Sequence, residues 1–421
     1  MEVGRRKSEI GDKKSEVGSQ RSDFRLPTSD LRPQTSDFRL DLIATCAFGL
    51  ESAVSAELKA LGYTDINTSN GQISFSADTG AIPRCNLWLR SADRLLIRVG
   101  SFSALTFDEL FEQTKALPWT DYLPEDACFP VAGKSIKSKL FSVSDCQAIV
   151  KKAVVEKMKS RYPVKWFAEN GPLFKIEVAL LNDTATLTID TSGAGLHKRG
   201  YRTLSHPAPL KETLAAALVY FSRWKPDRAL ADPFGGSGTI AIEAALRGRN
   251  IAPGLKRSFA AENWSLIPKS LWKNAREEAL DLIDHRQPLG IYYYDIDPNA
   301  VSMAKVHAAQ AGLREGIIFE KRSLQDLNSR YQYGYLITNP PYGERLDQET
   351  VQLYKQLPRA LSRLNTWSHY ILTSYPKLEN ILNRKADKKR KLYNGRILCN
   401  YYQFFGPKPK ELSGPFAQRR S

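Results

Sequence analysis

The 421-residue sequence lacks long apolar runs and has few cysteines. The apolar stretch LAAALVYF at residues 214–221 is far shorter than the roughly 18 residues that a membrane-spanning helix requires. The first residues lack the apolar core of a secretory signal peptide. The five cysteines are widely spaced and form no CxxC pair, which argues against a zinc site and a disulfide framework. We therefore expect a cytoplasmic protein without a metal and without membrane contact.

Positive charge is concentrated in two segments. The chain has a formal net charge of +16, and residues 131–165 contain nine basic and two acidic residues. Residues 384–421 contain eleven basic and two acidic residues, so the rest of the chain is close to neutral. Two basic surfaces on a neutral body are typical of a protein that binds a polyanion such as a nucleic acid. Solvated lysine-rich faces that only keep the protein soluble would have the same composition.

Composition and periodicity divide the chain into regions. Residues 1–39 repeat TSD and SDFRL and contain few apolar residues, which predicts a disordered low-complexity tail. Residues 40–190 contain short strands and helices in split β-α-β patterns, which predicts an α+β region. Strands and helices then alternate, and we assign residues 191–411 to a doubly wound, mostly parallel α/β sheet. Residues 412–421 form a basic C-terminal tail.

A glycine-rich turn follows one apolar strand of the predicted sheet. In ADPFGGSGT (residues 231–239), Asp232 ends the strand, and three glycines allow a tight turn and close approach of the backbone to a ligand. Ser237 and Thr239 open the next helix, whose first N–H groups face the strand ends. The pattern is neither a P-loop nor GxGxxG, so by itself it indicates only a nucleotide-binding fold of some kind.

Two aspartates follow the next strand of this sheet, in IYYYDIDP (residues 291–298). A carboxylate at the end of this strand can accept hydrogen bonds from both ribose hydroxyls of an adenosine cofactor. Asp297 precedes a proline at the first position of a helix, which is typical of a helix N-cap. We therefore assign Asp295 to the ribose and Asp297 to the cap.

The tetrapeptide NPPY ends a third apolar strand, in YLITNPPYGERL (residues 335–346). The two prolines fix the backbone and remove two N–H donors. Two acceptors, the side-chain oxygen of Asn339 and the carbonyl of Pro340, then lie beside the ring of Tyr342. Two acceptors next to an aromatic face suit a planar base that carries an exocyclic amino group. An ordinary proline turn is the alternative interpretation.

These three motifs, in this order, resemble those of class I S-adenosylmethionine-dependent methyltransferases that modify exocyclic amines. LHKRGYR (196–202), APLKETLAAALV (208–219) and APGLKRSFAAENW (252–264) resemble the bacterial THUMP-domain group that forms N2-methylguanine in 23S ribosomal RNA. The segments at 43–63 and 129–159 are similar to that group's ferredoxin-like and THUMP regions, and the resemblance extends over residues 40–405. It implies a Rossmann-like methyltransferase sheet preceded by an RNA-binding region.

The resemblance also implies which residues hold the cofactor and the target base. The cofactor residues are Asp232, Phe234, Gly236, Ser237, Gly238, Thr239 and Asp295. The catalytic residues are Asn339, Pro340, Pro341 and Tyr342. Two departures occur: Gly235 replaces a usual cysteine, and Ser323 stands at a usually acidic position, with Asp326 three residues on. Either Ser323 or Asp326 is therefore expected near the cofactor adenine.

Basic residues on both sides of residue 190 are predicted to contact RNA phosphates. They are Lys134, Lys137, Lys139, Lys151, Lys152, Arg199 and Arg202. The basic run at residues 384–396 is either a second RNA contact or an exposed charged loop. His197 is expected to be structural or RNA-facing rather than catalytic.

Three alternatives remain open from the sequence. The first is the same chemistry on a transfer RNA guanine or an adenine N6. The second is a non-catalytic RNA-binding or assembly factor, against which the intact Asp232, Asp295 and NPPY argue. The third is a nicotinamide-dependent dehydrogenase, which the absence of GxGxxG disfavours. The sequence does not specify the oligomeric state.

Overall fold

The computed structural model describes residues 39–204, 210–342 and 348–408, which contain two seven-stranded sheets with their helices. The tails predicted at 1–39 and 412–421 lie outside the described residues, apart from Arg39. No helix in these three ranges is long and apolar enough to cross a membrane.

The first sheet is built by residues 40–190. Its elements are β1 Leu40–Thr45, α1 Glu51–Ala60, β2 Ile66–Ser69, β3 Gln72–Ala77, α2 Ala81–Trp88, β4 Arg94–Ser103, α3 Phe107–Ala116, β5 Val131–Ile136, α4 Val143–Lys159, β6 Ile176–Leu181 and β7 Thr184–Asp190. The strand order is β2-β3-β1-β4-β7-β6-β5, and only the β5–β6 pair is parallel. Antiparallel pairing of β4 with β7 joins the early and late strands, so the α+β region forms one continuous sheet.

The second sheet is built by the remaining residues. Its elements are α5 Glu212–Ser222, β8 Leu230–Asp232, α6 Thr239–Gly248, α7 Lys269–Asp281, β9 Ile291–Asp295, α8 Pro298–Gln310, β10 Ile317–Lys321, β11 Tyr335–Thr338, α9 Gln348–Ser362, β12 Ser368–Thr373, α10 Leu378–Leu382, β13 Lys388–Asn394 and β14 Ile397–Phe404. The strand order is β10-β9-β8-β11-β12-β14-β13. The first five strands in this order are parallel, and β14 runs antiparallel to them. Strand β13 is antiparallel to β14 and so has the same direction as the first five, which makes the sheet mostly parallel.

Helix α5 explains the apolar run at residues 214–221. Ten of its eleven residues are buried, because it packs against α6, β11 and α1 of the first region. A helix that is covered on all sides is apolar all round rather than amphipathic. The run therefore belongs to the core between the two halves of the chain.

Polar contacts also join the two halves. The Arg199 guanidinium donates to the carbonyl oxygens of Arg90 and Leu196, and its Nε lies 3.5 Å from Glu243 Oε1. At the far side of the second sheet, the β1–α1 loop contacts the outermost strand, β13. The ring of Phe48 lies edge-on to that of Tyr393, with 6.1 Å between centroids.

Candidate active site

The three sequence motifs meet at one edge of the second sheet. From β8 the chain builds β9 and β10 on one side, and later β11 and β12 on the other. Ligands of doubly wound sheets bind where the strand order reverses in this way, at the carboxyl ends of the strands. A cavity of about 510 Å³ lies at this point. It is lined by Asp232, Phe234, Gly235, Gly236, Ser237, Thr239, Asp295, Ser323, Asn339, Pro340, Pro341 and Tyr342, among others.

The glycine loop is held against β9. The Tyr293 hydroxyl donates to the Gly236 carbonyl oxygen at 2.6 Å, and a Cβ on Gly235 would lie 2.1 Å from the Tyr293 ring. Gly238 has a φ of 82°, and a Cβ there would lie 2.9 Å from that of Ala304. Gly235 is therefore required by the tyrosine behind it, and Gly238 acts by shaping the turn rather than by lining the cavity.

Asp295 faces the glycine loop from the end of β9. Its Oδ2 accepts from the Gly236 N–H at 2.8 Å and its Oδ1 from the Asp297 N–H at 2.9 Å. A carboxylate oxygen can accept more than one hydrogen bond, so both oxygens retain capacity for a ligand. Asp297 accepts from the Asn299 N–H at 2.8 Å, which confirms its predicted role as the N-cap of α8.

Asp232 is buried at the end of β8. Its Oδ1 accepts from the Thr338 hydroxyl at 2.7 Å and from the Phe234 N–H at 3.2 Å. Burial, and to a smaller extent the charge of Asp295, raise the pKa of this carboxyl from 3.8 to about 7, although the two hydrogen bonds oppose the shift. A carboxyl poised near neutrality inside a cavity is typical of a functional position.

The NPPY motif lies directly after β11 and is fixed from two sides. The Tyr342 hydroxyl accepts from Asn394 Nδ2 at 2.9 Å, and the Pro341 carbonyl accepts from the Tyr354 hydroxyl at 3.1 Å. Among the described residues, the buried Oδ1 of Asn339 has no hydrogen-bond partner. A buried acceptor without a partner costs about 1–3 kcal/mol. This oxygen is therefore suited to a donor brought by a ligand.

Ser323 and Asp326 are the two residues predicted near the cofactor adenine, and they differ in their distance from the cavity. Ser323 lines the cavity, and its hydroxyl accepts from the Gln325 N–H at 3.2 Å. Asp326 is exposed and is not among the cavity-lining residues. The sequence analysis did not identify Gln325 and Gln356, which also line the cavity. Gln325 Nε2 donates to Gln356 Oε1 at 3.2 Å.

Two further cavity residues, Asn394 and Ile397, come from the β13–β14 hairpin. They face each other across its turn, where Gly395 has a φ of 63° at the first turn position. A glycine at the first position of a two-residue turn is a hairpin signal. Nothing in the local sequence, however, indicates that this hairpin reaches the residue after the two prolines.

Two of the predicted RNA-contacting arginines make mainly internal contacts, so the structure does not support a phosphate contact by Arg199 or Arg202. Arg199 is only 3% exposed, and its guanidinium is occupied by the carbonyl oxygens of Arg90 and Leu196. Arg202 donates to the Leu210 carbonyl and the Thr239 hydroxyl, and it lies 3.6 Å from Glu212. Arg199 thus joins the two halves of the chain, and Arg202 holds the segment before α5 against α6, so the contacts of both guanidinium groups are largely internal.

The predicted lysines of the first region are placed more favourably. Lys137, which has a φ of 51°, Lys139 and Lys152 are exposed. Lys134 pairs with Glu177 at 2.6 Å, and Lys151 pairs with Glu169 at 2.5 Å. An exposed ion pair contributes little to stability, so a phosphate can compete for Lys134. Lys151 is half-buried and also donates to the Phe129 carbonyl. RNA contact by these lysines stays a prediction.

In the described residues, no group of three or more His, Cys, Asp or Glu side chains could hold a metal ion. His197 is half-buried and its pKa is lowered to about 4, chiefly by burial and by the charge of Lys211. Its ring is absent from the residues that line the cavity.

Three family models together match almost the whole described part of the chain. Residues 41–96 match the RlmL ferredoxin-like domain, residues 104–190 the THUMP domain, and residues 199–403 the RMKL-like methyltransferase domain. The match boundaries agree with the division between the two sheets.

Two curated proteins are similar over most of this chain. The "Putative RNA methyltransferase YpsC" of Bacillus subtilis is 51% identical over 86% of this chain and 95% of its own length. The ribosomal RNA large subunit methyltransferase K/L of Shewanella frigidimarina is 34% identical over 86% of this chain. The chain spans only 52% of that second protein.

Two crystal structures have the same fold over 88% of this chain. SMU.472, complexed with S-adenosylhomocysteine, is 45% identical over 99% of its chain, with a TM-score of 0.85. A predicted N6-adenine-specific DNA methylase from Listeria monocytogenes is 53% identical over 97% of its chain, with a TM-score of 0.84.

Proposed function

Since this chain belongs to the family of THUMP-domain, S-adenosylmethionine-dependent RNA methyltransferases, we propose that it methylates the exocyclic N2 of a guanine in 23S ribosomal RNA. The observation that carries the proposal is the buried Oδ1 of Asn339, which lacks a partner among the described residues and lines the cavity beside Tyr342. An amino group on a planar base supplies the missing donor.

The cavity residues fit the cofactor. Gly236 and Gly238 have φ values of 50° and 82°, so the loop between them bends tightly and leaves room at the head of α6. Asp295 has two oxygens with remaining acceptor capacity for the ribose hydroxyls, and Asp232 offers a carboxylate to an amino group. Ser323 lines the cavity, which supports its assignment to the adenine. When bound, S-adenosylmethionine supplies an electrophilic methyl group on a sulfonium.

The chain's own residues then orient and desolvate the target. Asn339 Oδ1 and the Pro340 carbonyl accept the two amino hydrogens, which draws the nitrogen lone pair out of the ring. Tyr342 stacks on the base, and its ring is held in place by the bond from Asn394. Holding an unpaired base in this geometry replaces a bimolecular encounter with a positioned one, and this is the main source of acceleration.

Ribosomal RNA and guanine N2 are supported by the resemblance of LHKRGYR and APGLKRSFAAENW and by the large-subunit K/L relative. That relative is almost twice as long as the part matched here, so its substrate is a proposal for this chain. Adenine N6 is the second candidate, because the NPPY geometry accepts either amino group and the Listeria protein carries that description.

Deletion of the gene tests both candidates. Ribosomal and transfer RNA are purified separately from parent and deletion strains and digested, and modified nucleosides are quantified by mass spectrometry. We expect N2-methylguanosine to fall in 23S ribosomal RNA and to return with the wild-type gene but not with the Asn339→Ala gene. Unchanged ribosomal N2-methylguanosine contradicts the proposal. A loss confined to transfer RNA, or of N6-methyladenosine, selects the corresponding alternative.

A further inference from the structure

The tip of the β13–β14 hairpin forms an exposed apolar surface next to the cavity. Tyr393 and Leu398 face each other across the hairpin and are 38% and 48% exposed. Phe48, from the β1–α1 loop, is 52% exposed and lies edge-on to Tyr393. Large side chains exposed together in this way mark an interaction surface rather than ordinary surface variation.

Cationic side chains surround this surface. Lys391 lies on the same face of β13 as Tyr393, and Arg396 occupies the turn; both are exposed. Aromatic rings interleaved with lysine and arginine are the combination that binds single-stranded nucleic acid, because bases stack on the rings while the cations contact the backbone.

The surface lies on the opposite face of the hairpin tip from the residues that line the cavity. Asn394 and Ile397 line the cavity from within the same hairpin tip, and they are the chain neighbours of Tyr393 and Leu398. Side chains of adjacent strand residues point to opposite faces. The hairpin therefore presents one face to the target base and the other to whatever RNA flanks it.

We propose that Phe48, Tyr393 and Leu398, with Lys391 and Arg396, bind the unpaired nucleotides that flank the target base. This inference rests on the proposed RNA substrate, but not on guanine N2 or on ribosomal RNA. It makes the ferredoxin-like domain part of the RNA site through Phe48. It also makes two residues of the basic run at residues 384–396, Lys391 and Arg396, RNA contacts.

Binding of a fluorescein-labelled, unstructured RNA of about 12 nucleotides, within the usual site size of such surfaces, tests the proposal by anisotropy. Tyr393→Ala is expected to weaken binding about fivefold or more, the effect of losing one stacked base. Ile318→Ala is the control, because Ile318 is 43% exposed on β10, at the opposite edge of the sheet. The affinity for an RNA duplex of equal length is expected to be nearly the same in the parent and in Tyr393→Ala.

Salt dependence separates the cations from the rings. Arg396→Ala is expected to reduce the slope of log affinity against log salt by about 0.7, the contribution of one phosphate on a single strand. Arg314→Ala removes the same charge from an exposed site between α8 and β10 and is expected to leave RNA affinity unchanged. Parent-like affinity and slope in Tyr393→Ala, Phe48→Ala and Arg396→Ala together would overturn the proposal.

The position of the RNA on the protein is tested by crosslinking. The parent is irradiated with RNA that contains 4-thiouridine, and the crosslinked peptides are sequenced. A crosslink within residues 388–404 is expected, whereas crosslinks confined to residues 104–190 contradict the proposal. A change from dimer to monomer in Tyr393→Ala, with RNA affinity retained, would instead make this surface an interface between copies of the chain. The two proposals can fail separately. If these variants lose RNA affinity but gene deletion leaves ribosomal methylation unchanged, the proposed function is contradicted and this inference is supported.

Discussion

The Asp232 carboxyl gives the cavity a pH dependence that can be measured without RNA. Burial raises its pKa to about 7, and only the ionised form can accept from a cofactor amino group through both oxygens. Below that pKa, the ionised fraction falls about tenfold for each pH unit. We therefore predict that the affinity for S-adenosylhomocysteine falls about 30-fold between pH 8 and pH 5.5.

Isothermal titration calorimetry of the parent and two variants is the assay. Asp232→Asn is expected to bind weakly and with little change over this pH range. Asp326→Asn, which changes an exposed carboxyl outside the cavity lining, is expected to follow the parent. A flat profile in the parent from pH 5.5 to 8 would refute the reasoning that ligand binding requires an ionised Asp232.

The raised pKa of Asp232 also affects the free energy of unfolding. Its effect on stability decreases with rising pH, whereas its effect on ligand affinity increases. Because the folded pKa exceeds the unfolded value of 3.8, the folded state binds this proton more tightly. The stabilising contribution of Asp232 is complete below about pH 4 and is lost as the pH rises through 7, a change of about 4 kcal/mol. Ligand-free Asp232→Asn should therefore unfold at a higher temperature than the parent at pH 8, and this advantage should vanish near pH 4.

Four substitutions test the remaining contacts of the site. Asn339→Ala should abolish methyl transfer while S-adenosylhomocysteine affinity, measured by calorimetry, stays within about twofold, because the orphan oxygen serves the target and not the cofactor. In a double-mutant cycle, Asn394→Ala and Tyr342→Phe should each lower kcat about five- to tenfold, and the double variant should be no worse than either, because both remove one hydrogen bond; additive losses would show that Asn394 acts elsewhere. Gly235→Ala should weaken S-adenosylhomocysteine binding more than tenfold, because the new methyl would overlap the Tyr293 ring and displace the loop; parent-like affinity would contradict this.

The motifs at the strand ends could be predicted because each depends on local rules. Asp232, Asp295 and Asn339 each follow an apolar strand, and parallel strands bring their carboxyl ends to one edge. Asp297 as an N-cap followed from the proline after it. The α+β and α/β classes followed from the change in periodicity near residue 209.

Long-range packing could not be predicted in the same way. Arg199 and Arg202 lie in a basic motif, and composition alone cannot distinguish an exposed guanidinium from one bound to carbonyl oxygens. Asn394 is 52 residues beyond Tyr342, on a strand that the chain reaches only after β12. The sequence shows Gly235 only as a replacement of a usual cysteine, because its partner Tyr293 comes from the neighbouring strand β9. Each of these depends on which elements become neighbours.

The β1–α1 loop has a second consequence for the behaviour of fragments. Strand β13 is one of the two edge strands of its sheet in the described part of the chain. Edge strands have unpaired backbone N–H and C=O groups, which can pair with another molecule. Phe48 and Gly49 lie against β13, and a Cβ on Gly49 would come within 2.6 Å of the Lys391 carbonyl oxygen. The amino-terminal half thus covers part of this edge strand. We expect a fragment that begins after residue 190 to lose this contact and to self-associate more readily than the whole chain.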